Sequence, residues 1–337
     1  MSEHPLISVV IASFNAEAFI ASTIQSILDQ SYPNVELVLV DDGSTDDTVA
    51  TVENLVGDQI PLKIFRAVNG GQNAARNIGL ALCEGEFVKF LDHDDILPKW
   101  SLKSQLQLLD DTVRDIAIGG IERFDHDKEA TFLATAPDSP PEPSEVDADL
   151  PAIEACETVH PTFNEILIRR DLVASVGGFN PSLGTCEELN LLSRIHLRDR
   201  KTLAAYRQSP PVLYKRCMDW SLAAHHRSRS KTHVNWALVC RTDLAKAHAE
   251  TGEESDPIFQ TVVLDKLYRL ATISYRNGLK GHALSALEAW TACGSPRPEL
   301  DPPLHDRLHR LLGFERAERL LAKARTLLGR EEKAGDA

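Results

Sequence analysis

At 337 residues with 43% hydrophobic side chains, the chain is long enough for two domains, or for one large domain with an appendage, and too apolar for disorder. Its 36 basic and 50 acidic residues leave a net charge of −14, which disfavours nucleic acid as a partner because phosphate binding calls for a basic footprint. The six cysteines are scattered without a C-x-x-C pair, which argues against a disulfide framework or a zinc site and for a reducing compartment.

The first elements read as an alternating series. Leu6–Ala12 is a short, nearly continuous apolar run rich in β-branched residues, the pattern of a strand buried on both faces. Ser13-Phe14-Asn15 breaks it, and a helix with apolar helical spacing over Glu17–Gln30 is stopped by Pro33. A second buried strand, Val35–Val40, runs into Asp41-Asp42-Gly43-Ser44, and Thr45 or Asp46 caps a helix reaching to about Leu55. Leu62–Arg66 is a third strand, Asn69-Gly70-Gly71 a loop, and Ala74–Leu82 a helix. Glu86–Leu91 is a fourth strand, ending in Asp92-His93-Asp94-Asp95. This spacing predicts a doubly wound α/β fold with a mostly parallel sheet. Strand alternation places Asp92 and Asp94 on one face, with His93 and Asp95 pointing elsewhere. Oxygen ligands crowded in this way suit Mg²⁺ or Mn²⁺, and the plainer reading is an acidic turn that caps the helix after Pro98. Ligands of such sheets lie beyond the carboxyl ends of the strands, where the polar clusters Ser13/Asn15, Asp41/Asp42 and Asp92/Asp94/Asp95 converge.

Helix Trp100–Leu109 and strand Ile116–Gly120 extend the domain. The proline-rich, acidic stretch Pro137–Pro151 is incompatible with a sheet interior and reads as a mobile surface loop, with a lid or acceptor-facing flap as the alternative. Strand Thr162–Ile168, helix Arg170–Val176 and a Gly177-Gly178-Phe179-Asn180 turn follow, and Thr185-Cys186-Glu187-Glu188 opens a helix to about Leu197. Acids in a first helical turn are also favoured by the helix dipole alone.

Beyond about Thr232 the pattern is helical: Val234–Ala249, a helix capped by Asp256-Pro257 and stopping at Gly278, His282–Cys293, Pro303–Leu312 and Arg316–Leu328. This divides the chain into residues 1–230, with halves at about 1–120 and 121–230, and an all-α region over 231–337. Ala271, Gly278 and Ala283 are spaced as in a single tetratricopeptide-like hairpin. From Arg307 to Arg330 seven basic residues face two acidic ones, Glu315 and Glu318, beside a leucine-rich stripe. That stripe packs on the hairpin or, alternatively, lies on an anionic membrane surface.

Five segments in order, VVIASFN, ELVLVDDGSTDDT, NGGQNAARNIGLA, GEFVKFLDHDD and RRDLVASVGGFNPSLGTCEELNLLSR, resemble glycosyltransferase family 2 over residues 5 to about 220. The resemblance implies a GT-A fold and a metal-dependent, inverting, non-processive glycosyltransferase with a nucleotide-diphosphate sugar donor, a UDP-sugar first. By position it assigns Ser13, Phe14 and Asn15 to the nucleotide base and ribose, Asp41 and Asp42 to the same moiety, and Arg76 to the nucleotide–phosphate region. It assigns Asp92, with His93 beside it, to the donor, and Asp94 and Asp92 to the Mn²⁺ or Mg²⁺ cofactor, Asp94 as the direct ligand. The general base falls on Glu188, preceded by Glu187.

Here the chain departs from the family pattern, which has aspartate at the position of Glu188; the histidine common after the last core strand is also not evident near Tyr214–Cys217, where His225 and His226 are candidates by proximity only. The acceptor implied is a glycan or a lipid-linked hydroxyl in surface polysaccharide or glycoconjugate synthesis. No signal peptide and no apolar run of about 20 residues is evident, so the expected location is cytoplasmic, peripheral at the inner face of the membrane through the basic C-terminal helix. The alternative is a non-catalytic sugar-nucleotide-binding or scaffold protein.

Overall fold

The computed structural model describes residues 4–141, 146–158, 162–199, 202–206, 211–218, 231–254, 256–294, 309–310 and 312–327. It separates into two compact units, one made of Met1–Leu183 with Glu187–Ser221, the other of Gly184–Cys186 with Leu222–Ala337.

The first unit is built on the apolar runs. β1 (Ile7–Ser13) and β2 (Val35–Asp41) are buried at every position, as strands covered on both faces must be. Between and after them come α1 (Ile20–Leu28), α2 (Thr48–Val56), β3 (Leu62–Arg66), α3 (Gln72–Leu82), β4 (Phe87–Asp92), α4 (Ser101–Thr112), β5 (Ile116–Ile118) and β6 (Gly120–Asp125). The unit continues with α5 (Glu129–Thr135), β7 (Val146–Pro151), α6 (Ala152–Thr158), β8 (Ile166–Arg169), α7 (Arg170–Ser175), α8 (Glu187–Asp199), β9 (Thr202–Tyr206) and β10 (Pro211–Cys217).

Eight strands form one sheet in the order β3-β2-β1-β4-β8-β5-β9-β7, and β10 pairs with β6 in a second, small sheet. The first four are parallel, while β8 runs antiparallel to both β4 and β5. The parallel register sets Ser13 opposite Asp41 and Ala12 opposite Asp92. The polar strand ends are therefore level with one another.

Alternation distributes the apolar side chains to two cores. Val9, Ile11, Leu37 and Leu39 pack with Ile20, Ile24 and Ile27 of α1 and Leu102, Leu106 and Leu109 of α4. Val10, Val38, Val88 and Phe90 face the other way, against Leu80 of α3, Val173 of α7 and Leu191, Leu192 and Ile195 of α8. Gly79 lets α3 lie directly on β1, since a Cβ there would stand 2.3 Å from Val10 Cγ1. Lys89 of β4 is a charged side chain that is fully buried, and it donates to Gln105 Oε1 of α4 at 2.7 Å. Burial pushes its amine down to about 7.

Two expectations change here. Part of Pro137–Pro151 is not loop: β7 pairs antiparallel with β9. It takes the end of the sheet order, where an edge strand needs donors on one side only and Pro151 is tolerated. Thr162–Ile168 is strand only from Ile166; Phe163–Glu165 forms a 3₁₀ turn in which Glu165 N donates to Thr162 O at 3.1 Å and Thr162 N donates to the Glu165 carboxylate.

The second unit contains α9 (Lys231–Thr251), α10 (Pro257–Phe259), a π-helical stretch Gln260–Asp265, α11 (Lys266–Arg276), α12 (Lys280–Ala292) and α13 (Phe314–Leu327). Asp256 caps as expected, its carboxylate accepting from Ile258 N at 2.9 Å and Phe259 N at 2.8 Å. One acid of the basic C-terminal stretch is interior rather than solvated. Glu318 is 2% exposed and accepts from Arg276 Nε at 2.8 Å, while His309 Nε2 lies 2.7 Å from it and His309 Nδ1 lies 3.0 Å from the Tyr268 hydroxyl. Leu312 and Leu320 stay exposed, and most of Pro303–Leu312, together with Leu328, lies outside the described residues. No helix of the described residues is long and apolar enough to cross a membrane.

Candidate active site

The strand ends carry the site. β4 stops at Asp92, and the chain turns at once, Asp95 N donating to Asp92 O at 3.3 Å. The alternation expected for Asp92 and Asp94 therefore does not extend past the strand. The turn instead gathers Asp92, Asp94 and Asp95, one carboxylate oxygen from each lying within 4.8 Å of the others. His93 faces back, its Nδ1 3.4 Å from Ala12 O.

The three acids are held very differently. Asp92 Oδ1 accepts from Arg76 Nη2 at 3.1 Å and Gln72 Nε2 at 2.9 Å, and Oδ2 from Asn164 Nδ2 at 2.6 Å. Burial works against its charge, but Arg76, Lys215 and the Asn164 amide together hold the carboxyl at about 2. Asp95 is fully buried and takes three donors, Asn164 Nδ2 at 2.8 Å, Lys215 Nζ at 3.0 Å and Arg216 N at 3.0 Å. Burial pushes its carboxyl up to about 7 and Lys215 pulls against that; with three donors on two oxygens, the carboxylate is the form the geometry accommodates. Asp94 is raised by burial and by the charge of Asp92, and among the described residues its carboxylate meets only its own backbone N–H. It is the oxygen donor left available to a cation.

Lys215 and Arg216 come from β10. Despite burial, Asp95 and Asp92 raise the Lys215 ammonium well above its ordinary range. Arg216 donates through Nε to Asp94 O at 2.8 Å and through Nη2 to Ser22 Oγ at 3.0 Å and Glu129 Oε1 at 3.1 Å, between the rings of Phe19 and Phe124.

On the other side, α3 presents Arg76, whose Nη1 lies 3.3 Å from Glu187 Oε1. Its guanidinium stands over Phe179 and Phe163 at 5.4 and 5.7 Å, and these rings pack edge to face with each other and with Phe90. Asn77 fixes the Gly177-Gly178-Phe179 turn, accepting from Phe179 N at 2.7 Å and donating to Phe179 O at 2.8 Å. Gly178 has φ +70° and presses on Asn77, which leaves no room for a side chain. Asn73 Nδ2 then holds Leu183 O at 2.9 Å. The turn and α3 thereby carry the start of α8, with Glu187 and Glu188, toward Asp92. Burial first, and then the charge of Glu187, push the partly buried Glu188 carboxyl up to about 8.

The remaining candidates lie at the ends of β1 and β2. Among the described residues the buried Ser13 Oγ has no hydrogen-bond partner, and Phe14 is 45% exposed. Asn15, at φ 48°, accepts from Thr45 N at 2.9 Å and thus latches β1 to the loop after β2. Asp41 accepts from Ser44 N. Asp42 spends both oxygens on Gly70 N at 2.8 Å and Gly71 N at 2.9 Å, so its carboxylate shapes the Asn69–Gly71 loop. Asn164, Lys215 and Arg216 were not among the residues singled out by motif; an asparagine interrupting the apolar run 162–168 was the one available signal. His225 and His226 lie outside the described residues.

The sequence profile of glycosyl transferase family 2 matches residues 8–176, just over half of the chain. The chain belongs to that family. Among curated relatives, it is 38% identical over 105 residues to the GalNAc(5)-diNAcBac-PP-undecaprenol beta-1,3-glucosyltransferase of Campylobacter jejuni, covering 31% of this chain and 34% of that one. The chain spans less than half the length of the first curated relatives it matches. In structure it is similar to S. aureus TarS 1-349, solved with UDP-GlcNAc, at TM-score 0.66 and 20% identity over 97% of this chain and 93% of that one. It is also similar to the mannosyltransferase PcManGT of Pyrobaculum calidifontis, solved with GDP-Man and Mn²⁺, at TM-score 0.56 and 17% identity over 98% and 82% of the two chains. These likenesses establish the GT-A fold, a mostly parallel α/β sheet followed by a helical region, for this family 2 chain.

Proposed function

We propose that this chain is a divalent-cation-dependent inverting glycosyltransferase that moves a sugar from a nucleotide-diphosphate donor, a UDP-sugar first, to a hydroxyl of a glycan or lipid-linked acceptor in surface polysaccharide or glycoconjugate synthesis. One observation carries the reading: Asp94, whose carboxylate accepts no side-chain hydrogen bond among the described residues, stands in the same cluster as Asp92, Arg76 and the Glu187-Glu188 pair. The donor set fits Mn²⁺ or Mg²⁺, since it is made of carboxylate oxygens with neither sulfur nor imidazole among them. Asp94, with Asp92 beside it, would hold the ion, which when bound supplies positive charge to the departing diphosphate.

The chain's own residues account for the rest. Arg76 is held by Asp92, Glu187 and two aromatic rings, so its guanidinium is oriented in advance at the place where phosphate charge develops. Glu188 takes the proton of the acceptor hydroxyl as that oxygen attacks the anomeric carbon. A carboxyl near 8 is a far stronger base than an exposed glutamate and lies close to working pH, where general-base catalysis is most effective. Ser13, Phe14, Asn15 and Asp41 are assigned to the base and ribose, with Asp42 acting through the Asn69–Gly71 loop and His93 beside the donor. We assign residues 1–230 to the transferase and 231–337 to a helical domain. The exposed Leu312, Arg316, Arg319 and Leu320 support a peripheral place for that domain at the inner face of the cell membrane.

The test is a panel of UDP- and GDP-sugars with Mn²⁺, read by thermal shift and by slow donor hydrolysis. One donor should stabilise the protein only when Mn²⁺ is present, and the absence of Mn²⁺-dependent stabilisation across the panel would reject the assignment.

A further inference from the structure

The geometry points to Asn164 as the residue that positions the metal-binding carboxylates, an inference that rests on the transferase reading above. Asn164 is 1% exposed, and its amide engages the acidic turn at both ends. Nδ2 donates to Asp92 Oδ2 at 2.6 Å and to Asp95 Oδ2 at 2.8 Å, and Oδ1 accepts from Asp92 N at 2.9 Å. Both amide hydrogens and the carbonyl are thus committed to one turn. Between its two anchors stands Asp94, whose carboxylate accepts no side-chain hydrogen bond among the described residues.

An asparagine amide supplies the two donors and the one acceptor that these contacts use. A carboxylate at position 164 would lose both donors and add a further negative charge, and an aliphatic side chain would leave two acids short of a donor. The amide is itself held from behind. Asn164 lies in the 3₁₀ turn Phe163–Glu165, closed by the hydrogen bonds between Thr162 and Glu165. Phe163 packs on Phe90 and Phe179, and Glu165 O accepts from Gln105 Nε2 at 2.7 Å and Gly119 N at 3.2 Å. Gln105 in turn accepts from the buried Lys89. A chain of buried polar contacts from the sheet core therefore holds the backbone turn from which the Asn164 amide reaches the carboxylates. Residues that orient ligands in this way commonly change metal affinity by about 10–100-fold when removed.

The experiment uses the full chain and compares Asn164→Ala and Asn164→Leu, the latter filling the same volume without hydrogen bonds. Mn²⁺ affinity is measured in the presence of UDP by loss of the free Mn²⁺ electron-paramagnetic signal, and UDP affinity is measured separately in EDTA. The expected result is Mn²⁺ binding weakened about 10–100-fold with metal-free UDP affinity unchanged. Mn²⁺ affinity within twofold of the parent in either folded variant overturns the role of Asn164, as does an equal loss of metal-free UDP binding. A parent protein that binds neither Mn²⁺·UDP nor Mn²⁺·GDP overturns the transferase reading itself, and the inference with it. If both variants fail to fold, the Asn164 side-chain amide of the parent decides by nuclear magnetic resonance. Two separate, exchange-protected proton signals that shift on adding Mg²⁺·UDP support the role, and merged or rapidly exchanging signals overturn it.

Discussion

Glu188 is where the proposed mechanism is most exposed to refutation. Its carboxyl titrates near 8 in the folded protein against 4.5 as an ordinary glutamate, with burial the leading cause and Glu187 the next. At about 1.4 kcal/mol per tenfold change in proton affinity, that difference sets a ceiling of about 5 kcal/mol on the cost of ionising it in place. Water reaches the partly buried side chain, so about 2 kcal/mol is the working figure. Between pH 4.5 and 8 the folded protein binds more protons here than the unfolded chain. Stability from this group is therefore fully present below pH 4.5 and is lost as pH rises through 8. Glu188→Gln has no such proton to lose. The variant should gain on the parent as pH is raised from 5 to 9, by about 5 °C in melting temperature at the alkaline end. Glycosyl transfer should fall about 10²–10⁴-fold with donor binding retained, and parental kcat/KM should rise with pH through about 8. A melting-temperature difference that does not change with pH would refute the burial argument. Normal transfer by Glu188→Gln would remove Glu188 as the base.

Other positions make separate claims. Asp94→Ala should abolish Mn²⁺-dependent donor binding, measured by calorimetry, while leaving the melting temperature level or higher, because it deletes a carboxyl that burial disfavours. Arg76→Lys keeps the charge but loses the fork that spans Asp92 and Glu187. Urea denaturation should show a loss of about 2–4 kcal/mol, and Asp92 should no longer titrate near 2. In the helical unit, Arg276 and His309 outweigh burial and hold Glu318 at about 2, so its contribution is complete above pH 4.5 and lost as pH falls toward 2. Glu318→Gln should cost about 3–5 kcal/mol at pH 7, measured by chemical denaturation, and that cost should shrink on acidification.

Much of the fold was legible because β1, β2 and β4 are buried on both faces, and only continuous apolar runs can satisfy that. Their parallel register then follows from the helices between them, and with it the meeting of Ser13, Asp41 and Asp92 at one edge. What failed was reasoning that carried a period past the end of its element. Asp92 and Asp94 were assigned by strand alternation, yet the chain turns at Asp92, and hydrogen bonds from Asn164, Lys215 and Arg216 decide where the acids point. β7 was obscured because Pro151 lies at a sheet edge, where the rule against proline does not apply. Asp42 illustrates another limit: an acid in a recognisable motif can serve the backbone of a loop, and spacing alone does not distinguish that from contact with a ligand.

Charge balance explains why a residue as faintly marked in the sequence as Asn164 still matters. In the cluster, with Glu188 protonated, two cations, Arg76 and Lys215, face four carboxylates, Asp92, Asp94, Asp95 and Glu187. The deficit of two charges is what one divalent ion supplies in the proposed function. A positioning residue that reaches Asp92 and Asp95 from the interior has to donate to both without altering that balance. Lysine or arginine would fill the deficit and compete with the ion, and aspartate would deepen it. A neutral amide, with two donors and one acceptor, does neither. It is among the least conspicuous residues in a sequence, and its role becomes visible only once three separate segments, the ends of β4 and β10 and the turn before β8, are folded around it.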